Sequence, residues 1–319
     1  MFDPILVPLD GSLLAECVLP HVIAIGQAFD AKIVLLHVLD KNQADVALTQ
    51  FIDLLNWQIS KTEAKLHLER IGDRLKKSDL QTKIIVSEGP TAESITEFSQ
   101  SQEIKLVILS SHGQSGLRKW GISSITHKII LSATTSLLII RAPQLKEQPY
   151  RRILVPLDGS WRAENVLPMV MLLARFHRSQ IQIVHVVKQP EMARHLPPIQ
   201  EDIDLANQIV VRNQEEALYY LDQVQLHSPL AGFDVKTHLI ISDNASIAIH
   251  ELVDREQIDL VVLSAHGYSG NNQWTYGSMV NNFILYGKAP LLIVQDLVVK
   301  PIKEEINQER LRKRENIML

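Results

Sequence analysis

Cysteine, aromatic side chains and long apolar runs are all scarce in this chain of 319 residues. Cys17 is the only cysteine, so no disulfide can form within the chain, and we expect a buried thiol and a reducing cytoplasm. No segment reaches the roughly 18 uninterrupted apolar residues that a membrane-spanning helix needs, and no basic stretch opens the chain. Secretion and membrane insertion are therefore not expected.

An excess of positive charge is also missing. The chain has 32 Lys and Arg against 36 Asp and Glu, a net charge of -4, so its totals give no sign of a surface for nucleic acid. Proline and glycine, at 14 and 13 residues, are too few to indicate disorder. The length instead predicts two globular domains of about 150 residues each.

What the chain does contain is an internal repeat. Residues 5–12 read ILVPLDGS and recur letter for letter at 153–160, an offset of 148. Residues 105–113 resemble 259–267 at an offset of 154, so the second copy carries six inserted residues. A period this long indicates a duplicated domain, because solenoid repeats run at roughly 20–50 residues. We predict domains at 1–143 and 151–296, followed by a charged tail at 297–319.

Each half alternates short apolar runs with helical stretches, which is typical of βαβ units that build a parallel sheet. Runs such as 106–109 lack a polar alternation, and this predicts strands covered by helices on both faces. The sequence thus predicts an α/β protein with two tandem, doubly wound, five-stranded parallel-sheet domains. The predicted strands are 4–9, 32–38, 82–87, 105–110, 137–141, 152–157, 180–187, 234–241, 259–264 and 290–294. The predicted first helix of each half covers 13–29 and 162–177.

Ligands of open parallel sheets bind beyond the carboxyl ends of the strands, so residues there are site candidates. Asp10 and Asp158 follow the first strand of each half, where a carboxylate can accept hydrogen bonds from ribose hydroxyls or an adenine amine. A purely structural role beside a helix cap is the alternative. After the fourth strand, glycine-containing loops at 110–116 and 264–270 lead into a helix, whose N-terminal amides and dipole can bind phosphate.

These features resemble the universal stress protein family, whose ATP-binding members carry the motif G-x2-G-x9-G-[S/T] in this loop. The second half departs from the motif at one position and reads Ser264, Gly267, Gly277 and Ser278. The first half departs at both outer glycines and reads Ser110, Gly113, Ser123 and Ser124. The resemblance implies a Rossmann-like fold of the adenine-nucleotide alpha-hydrolase type. It also implies ATP or a related adenine nucleotide as the ligand, with Mg²⁺ as its companion left open.

The same resemblance implies roles for single residues in the second half. Asp158 would hold the ribose, Val186 would meet adenine through its backbone, and Gly267, Gly277 and Ser278 would cradle the phosphates. The corresponding first-half positions are Asp10, Val38, Gly113, Ser123 and Ser124. Because Ser123 adds a side chain where the ligand approaches, we predict that the second half is the better site. The last apolar strands, 137–140 and 291–294, resemble the family's pairing edges, so an intramolecular pseudo-dimer is expected.

Motifs of several enzyme classes are absent from the sequence, namely the G-x-S-x-G elbow, a G-x-G-x-x-G turn after the first strand, and a Walker A loop. His112 and His266 have no second metal ligand at suitable spacing. No general base or arginine finger stands out, so at most a slow ATPase is expected. Two functions remain open: a nucleotide-binding stress or regulatory protein, and a scaffold or small-molecule binder without nucleotide. A homodimer of whole chains and an unidentified protein partner also remain open.

Overall fold

Ten strands form one continuous sheet in the computed structural model, which describes residues 2–40, 50–112, 122–141, 150–190, 200–227, 230–268 and 275–295. The strands are β1 Ile5–Pro8, β2 Ile33–Leu39, β3 Thr82–Glu88, β4 Leu106–Ser110, β5 Ser136–Ile140, β6 Arg152–Pro156, β7 Gln180–Val187, β8 Val235–Ile241, β9 Leu260–Ser264 and β10 Leu291–Val294. Their order across the sheet is β3-β2-β1-β4-β5-β10-β9-β6-β7-β8. The predicted α/β class and the five parallel strands of each half are confirmed.

Helices cover both faces of this sheet. They are α1 Leu19–Phe29, α2 Gln50–Lys76, α3 Thr91–Ser101, α4 Ser124–Ser132, α5 Trp161–Glu164, α6 Leu167–His177, α7 Gln200–His227, α8 Ala245–Arg255 and α9 Ser278–Tyr286. Successive residues of β1 point to opposite faces, with Ile5 and Val7 in one apolar cluster and Leu6 in the other. Within the described ranges, no helix is long and apolar enough to cross a membrane.

The single helix predicted over 13–29 is wrong in one respect. A 3₁₀ turn at Ala15–Val18 comes first, and the α-helix begins only at Leu19. Pro20 explains the break, because a proline has no N–H and fits only the first turn of an α-helix. The second half repeats this design with Pro168, where the short helix α5 precedes α6.

The two halves join through their last strands, as the sequence predicted for 137–140 and 291–294. β10 pairs antiparallel with β5, and Leu292 lies opposite Leu138. All other strand pairs in the sheet are parallel. Because β5 and β10 occupy each other's edges, the sheet ends at β3 and β8, and any pairing of whole chains must use another surface.

A polar contact between the halves lies where α1 packs against α6. Tyr150 is fully buried, and its hydroxyl shares a hydrogen bond of 2.8 Å with Nδ1 of His21. His177 of α6 donates to the backbone carbonyl of Ala24 in α1 at 3.2 Å. Burial lowers the pKa of His21 to about 4, so the imidazole is neutral near neutral pH. This contact ties the start of the second half to the first helix of the first half.

Candidate functional site

A cleft of about 1700 Å³ opens at the carboxyl edge of β6, β7 and β9 in the second half. This is the edge at which the sequence placed its candidates, and the parallel strand order brings them together there. Every residue named from the sequence for this half lines the cleft, namely Asp158, Val186, Ser264, Gly267, Gly277 and Ser278. They come from three strand ends and one helix start, so only the fold unites them.

Asp158 is held in place by the turn that follows β6. Its Oδ1 atom accepts the Ser160 amide at 3.0 Å and the Ser160 hydroxyl at 2.6 Å. The Ser160 hydroxyl in turn accepts the amide of Ala163 at 3.2 Å and so caps α5. Gly159 has a φ of 83°, in the left-handed region that glycine adopts without strain. Serine is therefore the helix cap, and the aspartate orients it.

The second carboxylate oxygen of Asp158 reaches the loop after β9. It accepts the amide of Tyr268 at 2.6 Å. It also lies so close to Gly267 that any side chain at position 267 would collide with it. Gly267 thus leaves room for the Asp158 carboxylate, which would have to move if position 267 carried a β-carbon, and the motif alone did not suggest this contact. These contacts join the loop after β9 to the turn after β6 at the floor of the cleft.

The start of α9 forms one end of the cleft. Gly277 is the residue before the helix and provides no side-chain cap, while its own amide donates to the Ala265 carbonyl at 2.8 Å. Its φ of -67° suits any residue, and a β-carbon there would meet no atom closer than 3.6 Å. The protein itself therefore does not require a glycine at 277. The first-turn N–H groups, beginning at Ser278, face outward without a cap.

The opposite wall was not found from the sequence. It comes from α7, through Asn213, Glu216 and Tyr220, and from the turn before α8, through Asp243 and Asn244. One of the six inserted residues lengthens that turn, since two residues separate β3 from α3 and three separate β8 from α8. The change in repeat offset was therefore a weak signal for this part of the wall.

Tyr220 of this wall is buried against its neighbours. Its hydroxyl donates to Oε1 of Glu164 at 2.9 Å, and its ring lies 5.7 Å from that of His185. Burial, and then the charge of Glu164, raise the pKa of Tyr220 well above its usual value. His185 donates from Nδ1 to the Leu157 carbonyl at 2.8 Å, which fixes the ring beside Val186. This part of the wall is therefore aromatic, and the Tyr220 hydroxyl stays protonated near neutral pH.

The first half reproduces the turn but changes the helix start. Asp10 accepts the Ser12 amide at 3.0 Å and the Ser12 hydroxyl at 2.6 Å, and Val38 is partly buried in the matching place. Ser123 caps α4, because its hydroxyl accepts the amide of Thr126 at 3.1 Å. Ser124 is the first residue of α4, and Gly113 lies outside the described residues.

The histidines of the two fourth-strand loops show no metal geometry. In the described ranges, no group of three or more His, Cys, Asp and Glu side chains is placed to hold a metal ion. His112 shares a hydrogen bond of 2.9 Å with the Ser111 hydroxyl, and burial, followed by the charge of Arg141, lowers its pKa. Cys17 is buried as expected, with its sulfur 3.4 Å from the Ser110 hydroxyl.

Comparisons with known proteins agree with this architecture. Universal stress protein YxiE of Bacillus subtilis is 26% identical over 151 residues, which are 44% of this chain and 100% of that protein. A universal stress protein of Methanocaldococcus jannaschii is 25% identical over 156 residues, 44% of this chain and 96% of its own. The crystal structure of a universal stress protein from Archaeoglobus fulgidus covers 92% of this chain and 99% of its own, with a TM-score of 0.65 and 16% identity, and so shares the fold.

The family model agrees with the repeat found in the sequence. The model described as the universal stress protein family matches this chain twice, at residues 1–141 and 149–295. The two matches together span most of the chain, and each falls on one half of the ten-stranded sheet. The chain therefore belongs to the universal stress protein family.

Proposed function

We propose that the second half binds an adenine nucleotide, ATP or a close relative, and that the protein serves as a stress-response regulator with little or no turnover. The observation that carries the proposal is the convergence of all six site residues named from the sequence for the second half on one cleft. The resemblance supplies the ligand class, since the second half matches the motif of the ATP-binding members at three of its four positions. The chemistry of the cleft is consistent with that class.

The cleft offers different partners along its length. The Val186 backbone and the ring of Tyr220 both line the cleft, and an aromatic ring beside a free backbone edge suits a purine base. Asp158 provides carboxylate oxygens for ribose hydroxyls. The uncapped start of α9, at Gly277 and Ser278, provides amides and the positive end of a helix dipole for phosphate. Mg²⁺ as a companion of the nucleotide stays open, and in any such complex the phosphates themselves would supply its oxygen ligands.

We propose the second half as the stronger site for two reasons. Gly277 leaves the space before α9 open although neither its φ nor its packing requires a glycine, whereas Ser123 fills that space in the first half. The Ser123 hydroxyl also uses the amide of Thr126, which a phosphate would otherwise be able to bind. No arginine occurs among the described residues that line the second-half cleft, so we expect turnover below about one per second.

Titration of ATP into matched aspartate variants tests the proposal. Asp158→Ala should lower ATP affinity about tenfold or more, because a hydrogen bond to a charged group is lost. Asp10→Ala, the same change in the first half, should alter affinity by less than about twofold, since the first half contributes little binding. Asp158→Asn keeps a side chain of the same size against Gly267 but loses the charge. Its ATP affinity, measured by the same titration, therefore separates the loss of the carboxylate from a disturbance of the loop.

The outcomes separate the two candidate functions. Equal losses in the two alanine variants, or a larger loss in Asp10→Ala, would reverse the assignment of the stronger site. Mass spectrometry of the ligand released from purified, denatured protein should detect an adenine nucleotide. A different small molecule, or absence of any ATP binding, would favour the scaffold or small-molecule function.

We further propose that each half is one domain, 1–143 and 151–296, and that the two domains act as a built-in pair. The antiparallel contact of β5 with β10 supports this arrangement. The tail at 297–319 lies outside the described residues.

A further inference from the structure

Helix α9, which forms the phosphate end of the proposed site, is held at its other end by a residue from the first half. Arg141 directly follows β5 and is 91% buried, with 9% of its surface exposed. Its Nη2 atom donates to the backbone carbonyls of Phe283, at 2.8 Å, and Ile284, at 2.6 Å. Both carbonyls belong to the last turn of α9, which ends at Tyr286. The guanidinium therefore caps the helix at its negative end.

The mirror position in the second half is occupied by a neutral residue. Gln295 directly follows β10, and its side-chain amide donates to the Ala133 carbonyl at 3.4 Å, just past the end of α4. Its backbone amide donates to the Ser136 hydroxyl at 3.1 Å. In each half, the residue after the last strand thus contacts the end of a helix in the other half: Arg141 contacts α9, and Gln295 contacts the end of α4. Only α9 receives a positive charge and two short hydrogen bonds, and such charge-assisted bonds are the stronger kind.

The anchoring at the two ends of each helix is complementary. Helix α4 caps its own first turn through Ser123, and its end receives two long, uncharged contacts from the second half: the Gln295 amide donates to the Ala133 carbonyl at 3.4 Å and the Thr275 hydroxyl to the Leu131 carbonyl at 3.3 Å. Helix α9 has no cap at its first turn and receives the guanidinium at its last. The Gly277 amide on the Ala265 carbonyl holds the start of α9, and the helix is only nine residues, about two and a half turns, long. A shift at its C-terminal end is therefore passed on to its first-turn amides.

We propose that Arg141 is a positioning residue for the nucleotide site of the opposite half: it holds α9 so that the uncapped amides at Ser278 bind the nucleotide's phosphates. This inference rests on the proposed function. It makes the second-half site dependent on the first half, although no first-half residue lines the described cleft. The first half then supports binding even if its own site binds nothing.

Affinities for ATP and for adenosine, measured side by side on the full chain, test this role. Arg141→Gln copies the residue found at the mirror position, and it should weaken ATP binding about fivefold, the upper range of a helix-dipole effect. Adenosine has no phosphate to meet α9, so its affinity should stay within about twofold. Arg141→Lys keeps the charge but cannot copy the planar guanidinium, so it should recover about half of the lost ATP binding free energy and leave a selective loss of about twofold. Arg152→Gln, which removes a guanidinium that donates to the Glu256 carbonyl at the end of α8 at 2.9 Å and lines no part of the described cleft, is the matched control and should leave both affinities unchanged.

The ratio of the two affinities decides between positioning and general stabilisation. A merely structural role would lower ATP and adenosine binding together, and that result would overturn the proposal, as would an unchanged ratio in Arg141→Gln. If Arg141→Gln does not fold, Arg141→Lys decides: a selective loss of ATP affinity of about twofold supports the role, and an unchanged ratio contradicts it. Wild-type protein that binds neither compound would refute the proposed function itself, and the inference with it.

Discussion

Helices α4 and α9 lie at equivalent places in the two halves, but they satisfy their first turns differently. In α4 the Ser123 hydroxyl accepts the Thr126 amide and donates to the Thr126 hydroxyl at 2.8 Å, which in turn donates to the Ser110 carbonyl at 3.0 Å. In α9 the corresponding residues are Gly277 and Val280, and neither provides such a group. The backbone is nevertheless alike, with φ values of -64° and -67° at the two starting positions. The two copies of the domain therefore share one backbone geometry at this helix start. In α4 a first-turn amide binds a side chain, and in α9 the same amide is left for a ligand.

The contact between α1 and α6 shows a second asymmetry. His21 and Tyr150 form the polar pair described above, whereas their repeat counterparts, Met169 and Phe2, are apolar and buried. The pair that contains His21 can thus change its charge with pH, whereas the pair of Met169 and Phe2 has no group that titrates. The comparison indicates which substitutions would make the two sides alike.

The largest expected effect comes from replacing the polar pair with its apolar counterparts in His21→Met/Tyr150→Phe. The folded-state pKa of His21, about 4, is below the ordinary value of 6.5, so the unfolded chain binds more protons between these values. The contribution of His21 to the free energy of unfolding, about 3 kcal/mol, is therefore complete above pH 6.5 and is lost as the pH falls toward 4. The double variant should lose this part of the acid sensitivity, as measured by urea unfolding at pH 7.5 and 4.5.

The single variant His21→Met is the control for that experiment. It leaves the Tyr150 hydroxyl buried without its partner and should lower the free energy of unfolding by about 1–3 kcal/mol at neutral pH. Restoration of stability by the added Tyr150→Phe change would show that the hydroxyl, and not the volume of the side chain, is responsible. An acid sensitivity equal to that of the wild type in the double variant would contradict the assignment of the titration to His21.

The next effect concerns the two helix starts. Gly277→Ser should lower ATP affinity about tenfold, because a serine hydroxyl there can cap Val280 as Ser123 caps Thr126 and so withdraw an amide from phosphate. The fold should tolerate the change, since the φ of -67° is ordinary and the nearest atom to a new β-carbon is 3.6 Å away. Isothermal titration calorimetry measures the result.

Gly277→Ala separates the two ways in which a side chain could act at this position. Alanine adds the β-carbon but no acceptor, so it should weaken binding less than serine does if capping is the cause. Equal losses would show that the β-carbon itself blocks the ligand. Ser123→Gly, the reverse change in the first half, should leave the affinity of the second-half site as it is.

The sequence predicted the sheet and the cleft floor well for a physical reason. Buried parallel strands need continuous apolar runs, and such runs can be recognised without knowledge of neighbours, so β4 and β5 were placed to within a residue. The repeat then located Asp158, and the resemblance to the family motif located Gly277, at one edge of the sheet. The cleft wall could not be found in this way, because Tyr220 meets Glu164 only when α7 folds over the sheet. The contact of Asp158 with Tyr268 likewise joins residues 110 positions apart.

The cross-half contacts were also beyond the sequence. Arg141 lies next to a predicted strand, but nothing in the sequence shows that it ends against the carbonyls of Phe283 and Ile284, more than 140 positions away. The break at Pro20 could have been predicted from the sequence, since a proline inside a helical pattern marks a new start. The effect of Pro20 is local and can be read from the neighbouring residues, whereas the contacts of Arg141 exist only once the whole sheet has assembled.

The smallest expected effect separates two matched glutamates. Glu16 meets two partners, His67 at 3.2 Å and Arg74 at 2.8 Å, whereas Glu164 accepts one hydrogen bond from the neutral Tyr220. Glu16→Gln keeps one acceptor oxygen and loses the charge, so it should lower the free energy of unfolding by about 0.5 kcal/mol, given that the Arg74 side chain is 61% exposed and screened by solvent. Glu164→Gln should have a smaller effect, because an amide oxygen can still accept from the tyrosine.

The salt concentration distinguishes the two glutamates more sharply. Raising it from about 0.05 M to 1 M shortens the screening length, so it should remove the loss of stability caused by Glu16→Gln and leave the loss caused by Glu164→Gln unchanged. Urea midpoints at the two salt concentrations measure both, and a salt-dependent loss in Glu164→Gln would mean that the second-half pair is also ionic.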